Sequence, residues 1–597
     1  MKHTAAAVLF ASTTIFSAPL FAGDALSIRD IAREGAVFVL GADDFRGTLD
    51  RLGPTAYGKL WNDPEAAEMV RTLKENFEKT IADAAAQSGI EREKITWPSS
   101  LGLALMVEMD EEMGIPAPQF VFFCDWSAEA DKAGAFVDAL VADIEKKAKD
   151  GGATVKVEEI RGRRAIGLPT DGAADAAEGA ADNEFEDEFA AEFGGGLGDI
   201  GPTEIFLVSD KGRLLAASSV EAMDGLLVRV DGDRAKPIGD SENFRRATDL
   251  AGGTQDIYAV LSTEAAGPLL GAFPELMLVQ PLVARLFGDI KAWSFGVHAK
   301  DGVLEAAQGI YVPGGKAGIF SLVDLATEPK APPAIVPSDA LSYGRLNVRF
   351  DRILPMLDEV LGGLPAEQAD MVRPQLDLYR PAMQAAFGAM GPEVHLWSVE
   401  TDPADIAASG TVTAISMKND KDSARAVVDF INLLPLGLQS RDFNGMTILS
   451  DEFAPFAVGI GGGALVLGSV EHVEQALRAV DAKAGEGLAG EAGFQKALSD
   501  MSKTPVVAMA WWDTARQLES TARTMQTMMD GLGGMVEFDQ EGAIPGVEVG
   551  LDDVMGFWKL MSNKELVKRC FGDSVLDLKA SDSGFTTSYR MLPGAAE

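Results

Sequence analysis

One order of strand and helix patterns occurs twice along this chain, and that repetition limits the possible folds more than any motif does. The first copy reads as an apolar strand at Phe120–Asp125, an amphipathic helix at 133–148 and a short strand through Arg161-Gly162-Arg163-Arg164-Ala165-Ile166. A hairpin follows, at 205–209 and 213–217, and Ser219-Val220-Glu221 opens a helix. The second copy has Thr411-Val412-Thr413-Ala414-Ile415-Ser416, a helix at 423–434, and Phe443-Asn444-Gly445-Met446-Thr447-Ile448. It then has a hairpin at 456–459 and 464–467, and Ser469-Val470-Glu471 at a helix start. Upstream, Phe45, Leu49 and Leu52 share the core-facing spacing of Phe350, Leu354 and Leu357. Downstream, strands at 256–260 and 505–509 each lead to an apolar helical stretch and a closing hairpin. Strands arranged in hairpins and interrupted by single helices imply mostly antiparallel sheet with helices laid on one face. The expected fold is therefore α+β and internally duplicated, with two similar halves at 28–325 and 338–593 joined by a Pro-rich linker at 326–337.

A length of 597 residues exceeds what one hydrophobic core supports, as two halves require. Lys plus Arg number 52 and Asp plus Glu 91, a net charge of −39. Such a surface repels phosphates, so nucleic acid and anionic headgroups are poor partners. The acidity itself fits solubility in a salty or crowded exterior, or attraction of basic partners. Residues 1–22 read as an export signal: Lys2 and His3 precede an apolar run broken by Pro19, with small residues at Ala22-Gly23. No transmembrane span is expected once that segment is removed. The expected location is the periplasm or the exterior. Two cysteines, Cys124 and Cys570, exclude a disulfide scaffold.

The stretch Thr55-Ala56-Tyr57-Gly58-Lys59-Leu60-Trp61-Asn62-Asp63-Pro64 suits a helix start, with Asp capping and Pro at the first helical position. Together with the preceding strand and its Asp-Asp-Phe, it resembles a family of large exported bacterial proteins of uncharacterised role that carry a domain of unknown function. The resemblance covers most of the first half; the second half has no Trp-Asn-Asp-Pro segment and shares only element order. It implies export and an α+β fold, and supplies no activity and no functional residues.

Residues 171–203 form an acidic insertion, with ten acidic residues and no Lys or Arg between Asp171 and Ile200. Like-charge blocks of this kind stay solvated. The glycine run Gly459-Ile460-Gly461-Gly462-Gly463 is followed by a second strand instead of a helix, so it reads as a hairpin turn and not a phosphate loop. His298, His395 and His472 are isolated, without zinc-ligand spacing, and Asp110-Glu111-Glu112 lacks the alternating oxygens of a calcium loop. No residue set is nominated for catalysis, for a cofactor or for a metal.

The remaining functional hint is the pair of apolar helical stretches, one with Phe273, Leu276 and Met277, the other with Met525, Met528 and Met529. They read either as core or as the lining of a groove for an apolar ligand or an envelope partner, Met being suited to adaptable surfaces. The leading expectation is an exported non-enzymatic protein that binds or organises such a partner. A secreted hydrolase with paired carboxylates and a surface-layer component are the alternatives, and the sequence leaves the oligomeric state open.

Overall fold

The computed structural model describes residues 25–67, 70–71, 97–109, 116–126, 130–170, 204–253, 255–268, 282–401, 410–451, 456–482, 485–501, 503–532 and 551–594. Twenty strands, every pairing antiparallel, make one continuous sheet within those residues. In the first half they are β1 Phe38–Ala42, β2 Ser100–Met109, β3 Pro116–Asp125, β4 Lys156–Ile160, β5 Arg163–Pro169, β6 Glu204–Asp210, β7 Arg213–Ala217, β8 Ile257–Ser262, β9 Ala292–Lys300 and β10 Val303–Tyr311. In the second they are β11 Ser342–Asn347, β12 Met390–Ser398, β13 Thr411–Met417, β14 Gln439–Phe443, β15 Met446–Ser450, β16 Ala457–Gly461, β17 Ala464–Gly468, β18 Ala508–Trp512, β19 Phe571–Ser581 and β20 Gly584–Pro593.

The pairings place the first ten in the order β4-β5-β6-β7-β3-β2-β1-β8-β9-β10. The others follow β14-β15-β16-β17-β13-β12-β11-β18-β19-β20. β10 pairs with β20, from Leu304↔Met591 to Tyr311↔Gly584, and this ladder is the seam between the halves. Short turns set the registers. Arg161-Gly162, Lys211-Gly212, Asp301-Gly302, Asn444-Gly445 and Gly462-Gly463 each have two consecutive positive φ values, the two-residue turn whose twist matches antiparallel strands.

The helices are α1 Ile28–Ile31, α2 Phe45–Leu52, α3 Ala56–Asn62, α4 Ala130–Asp150, α5 Val220–Val230, α6 Glu242–Leu250, α7 Ile353–Leu361, α8 Ala366–Ala389, α9 Lys421–Leu433, α10 Val470–Arg478, α11 Ala492–Asp500, α12 Thr514–Leu532, α13 Leu551–Met561 and α14 Lys564–Cys570. Side-chain caps start many of them: Ser219 accepts from Ala222 N, Ser469 from His472 N, and Asp420 from Ser423 N.

Helices cover both faces of the sheet, which corrects the expectation of one covered face. The reason lies in strands that are apolar on both sides. Phe123, Leu215 and Ala217 point into a core with α1, α5 and α6. Their neighbours Phe122, Cys124, Leu214 and Ala216 point the other way, under α4. In the second half α10 and α11 cover the first of these faces, with Val473, Leu477 and Phe494. α9 covers the other with Val427, over Ile415 and Leu465. The Pro-rich connection is packed and is no free tether: Ile335 and Val336 belong to the second core, and Thr327 bridges to Val506.

The Trp-Asn-Asp-Pro segment sits at the junction of the halves. Ala56 and Leu60 of α3 pack with Ala522, Leu566, Val567, Cys570 and Met591. Beside them, Arg569 donates to both oxygens of Asp63 at 2.8 and 2.9 Å. That hydrogen bond holds the Asp63 carboxyl below its ordinary range. Cys124 and Cys570 are both buried, unpaired, and in separate cores.

His395 on β12 is buried, with Nδ1 2.9 Å from the Tyr343 hydroxyl. Burial holds its pKa down to about 4, from an ordinary 6.5. The unfolded chain therefore takes up this proton as pH falls through 6.5, whereas the folded chain resists until about 4. Stability is lost across that window as pH falls, by roughly 3 kcal/mol in total. His395→Gln keeps an acceptor for Tyr343 and removes the titration. Urea midpoints at pH 7.5 and pH 4.5 should fall less in this variant than in wild type.

Candidate functional site

Strand alternation together with the registers assigns every side chain on the central strands to one of two faces. The face opposite α1, α5 and α6 can be followed row by row. One row runs Leu103, Leu40, Ala259, Phe295, Gln308, Thr587, Leu578, Ala508, Leu346, Val394, Ile415. Its neighbour runs Leu105, Phe38, Leu261, Trp293, Ile310, Phe585. On the other side lie Ile257, Val297, Ala306, Tyr589, Leu576, Ala510, Gly344, Leu396 and Thr413.

None of these positions holds Asp, Glu, Lys or Arg, in a chain of which 24% is charged. The opposite face of the same strands carries Glu108, His298, Glu305, Arg345, Glu393, Asp577 and Arg590. The asymmetry is complete over eleven strands.

Part of this face is open. Trp293 is 47% exposed, Phe295 40% and Leu261 38%, and Phe38, Leu40, Leu103, Leu105 and Ile310 are half-buried beside them. Contiguous apolar surface of this kind marks a site of interaction, whereas single exposed apolar residues do not. Its cause is visible in β9, where large and small residues alternate. Ser294 and Gly296 lie on the α6 side, with Gly309 of β10; Ser294 and Gly309 let α6 press against the sheet, and Gly296 makes room for the Gln255 side chain. The Ser294 hydroxyl donates to Ala247 O of α6 at 2.5 Å. Trp293, Phe295 and Val297 must then occupy the outward face.

Phe273, Leu276 and Met277 lie outside the described residues. Met528 and Met529 fall within α12, but their side chains also lie outside the described residues. Met525, on the same helix, is half-buried. The nearby Ala522, Ala515 and Leu518 belong to the junction core. Sequence reasoning missed Trp293, Phe295 and Leu261. The alternation in β9 was the available signal, but reading it outward requires knowing that α6 sits on the small residues.

Polar clusters elsewhere have structural occupations. Asp256 accepts from Arg51 Nη2 at 2.6 Å and from Ala299 N at 2.8 Å, tying α2 to β9. His298 Nδ1 lies 3.0 Å from Asp256 Oδ2 without hydrogen-bond alignment. His472 Nδ1 lies 2.8 Å from Ser469 Oγ at the cap of α10. Among the described residues no group of three or more His, Cys, Asp and Glu side chains is placed to hold a metal ion.

No family model matches the chain, and no curated protein matches it. Among solved structures, crystal forms I and III of TP0453 share similarity at 12% and 10% identity. Each alignment covers 45% of this chain and 82% of that one, with a TM-score of 0.21. A likeness of that size carries no argument about fold or role.

Proposed function

We propose that this is an exported, internally duplicated, non-enzymatic protein that holds an apolar ligand or partner in the cell envelope on the uncharged face of its sheet. The observation that carries the reading is the open patch Phe38–Leu261–Trp293–Phe295–Ile310, on the side of the eleven central strands where none of the positions followed above is charged. Burying such a patch is worth about 25 cal/mol per Å² of apolar surface removed from water, so micromolar capture, with at least about 4 kcal/mol of association cost to offset, calls for roughly 500 Å² or more. The matched strand orders on either side of the β10–β20 seam support duplication. Export rests on the character of residues 1–22.

Phe295→Asp tests the site. Because Phe295 is 40% exposed, the substitution should leave the fold intact while placing a charge at the centre of the patch. Titration with an uncharged solvatochromic dye should show binding to wild type and a loss of at least about tenfold in the variant, the equivalent of roughly 1.4 kcal/mol. Equal dye binding by a folded variant would remove this face from consideration.

A further inference from the structure

We infer that the occupant of this face is a single long acyl chain with a carboxylate head, and that Lys316 holds the head; the inference rests on the apolar-site reading above. The accessible row Leu105–Phe38–Leu261–Trp293–Ile310 crosses four inter-strand gaps and ends against Phe585, which is buried. At about 4.8 Å per gap that is roughly 19 Å, enough for an extended chain of the kind that fills one leaflet of a bilayer core about 30 Å thick. These strands lie inside the sheet, so their backbone donors and acceptors are committed to the ladders on both sides and an added peptide strand has no edge to join. The row offers methyl, methylene and ring surface. That composition suits a hydrocarbon chain.

The row changes character at its Phe585 end. The Lys316 ammonium stands 5.5 Å from the centroid of the Phe585 ring, and Phe320 packs on the same ring at 4.8 Å with the planes tilted by 37°. Among the described residues no carboxylate lies within ion-pair distance of Lys316. Lys291, one residue before β9 and bonded through its N–H to Tyr311 O, by contrast pairs with Asp289 at 3.2 Å. An uncharged row thus ends at an ammonium with no acid partner.

The net charge of −39 opposes anions at long range. Screening confines that field to about 8 Å at physiological ionic strength, so at the rim the nearest ammonium decides. A carboxylate there gains an ion pair that an alcohol of equal chain length does not.

The test compares hexadecanoate with hexadecanol on the full chain, for wild type, Lys316→Met and Phe295→Asp, with thermal unfolding as a check on folding. Wild type should prefer the carboxylate by about fivefold, and Lys316→Met should abolish the preference while leaving hexadecanol affinity unchanged. Phe295→Asp should weaken both ligands. Equal affinity of wild type for both, or a preference that survives in Lys316→Met, overturns the head-group assignment and leaves the apolar site standing. Binding of neither ligand by wild type overturns the inference, and a failure of the dye to bind as well would remove the reading beneath it.

Discussion

Gly309→Val is expected to destabilise the folded chain by about 3 kcal/mol, the upper end of the cost of overpacking a filled interior. A Cβ at residue 309 would stand 2.3 Å from Ala247 O and 2.8 Å from Ala251 N. Both are backbone atoms of the α6 turn, so no flexible side chain can swing aside. Ala247 O already accepts from Ser294 Oγ at 2.5 Å and from Ala251 N at 3.1 Å, and lifting α6 would strain both bonds. The substitution also falls on β10, whose other edge is the seam with β20. The denaturant midpoint of the first half should fall, and amides of α6 should lose hydrogen-exchange protection first. An unchanged midpoint would mean that α6 does not sit where the structure places it.

Phe494→Ala and Phe244→Ala should each cost about 4 kcal/mol, the usual loss for a buried phenylalanine. Phe494, fully buried on α11, meets Trp511 edge-on at 5.5 Å and Tyr343 at 5.8 Å. Phe244 occupies the same place on α6 and meets Tyr258 at 6.3 Å. Each ring pins one helix to one half of the sheet. If the halves are duplicates, the two losses should agree within about 1 kcal/mol in equilibrium unfolding, with some of each offset by collapse of the cavity. A large loss at one position and none at the other would count against equivalent roles.

Much of the sheet is legible in the sequence because its signals are local. Turns inside expected hairpins, such as Lys211-Gly212 and Gly462-Gly463, and caps such as Ser219 and Ser469, declare themselves within four residues. Arg161-Gly162, read as part of a strand, and Asn444-Gly445, read within one run, are instead the turns that part β4 from β5 and β14 from β15. The order of strands and helices in the two halves follows from the same signals. What local signals do not reveal is which face of a strand meets which helix. Phe122 and Phe123 are neighbours in sequence and belong to different cores, so the covering of both faces emerges only with α4 and α5 in place. Trp293 and Phe295 look like ordinary core residues until Ser294 and Gly309 are seen beneath α6, and Gly296 beneath Gln255. The absence of charge on the outward face is likewise invisible without registers, because residues adjacent in it, such as Gln308 and Thr587, are far apart in sequence. Apolar helices drew attention to Met525, Met528 and Met529 as a binding face. Next to Met525, however, α12 contributes Ala522 and Leu518 to the junction between the halves, as an amphipathic helix with a core to cover does.

The most direct test of the uncharged face is native mass spectrometry of the chain isolated from its own cells without detergent, beside Phe295→Asp prepared in the same way. The account predicts an added mass on wild type that disappears on denaturation and is absent or strongly reduced in the folded variant. A bare wild-type mass, or an added mass retained undiminished by Phe295→Asp, would contradict it.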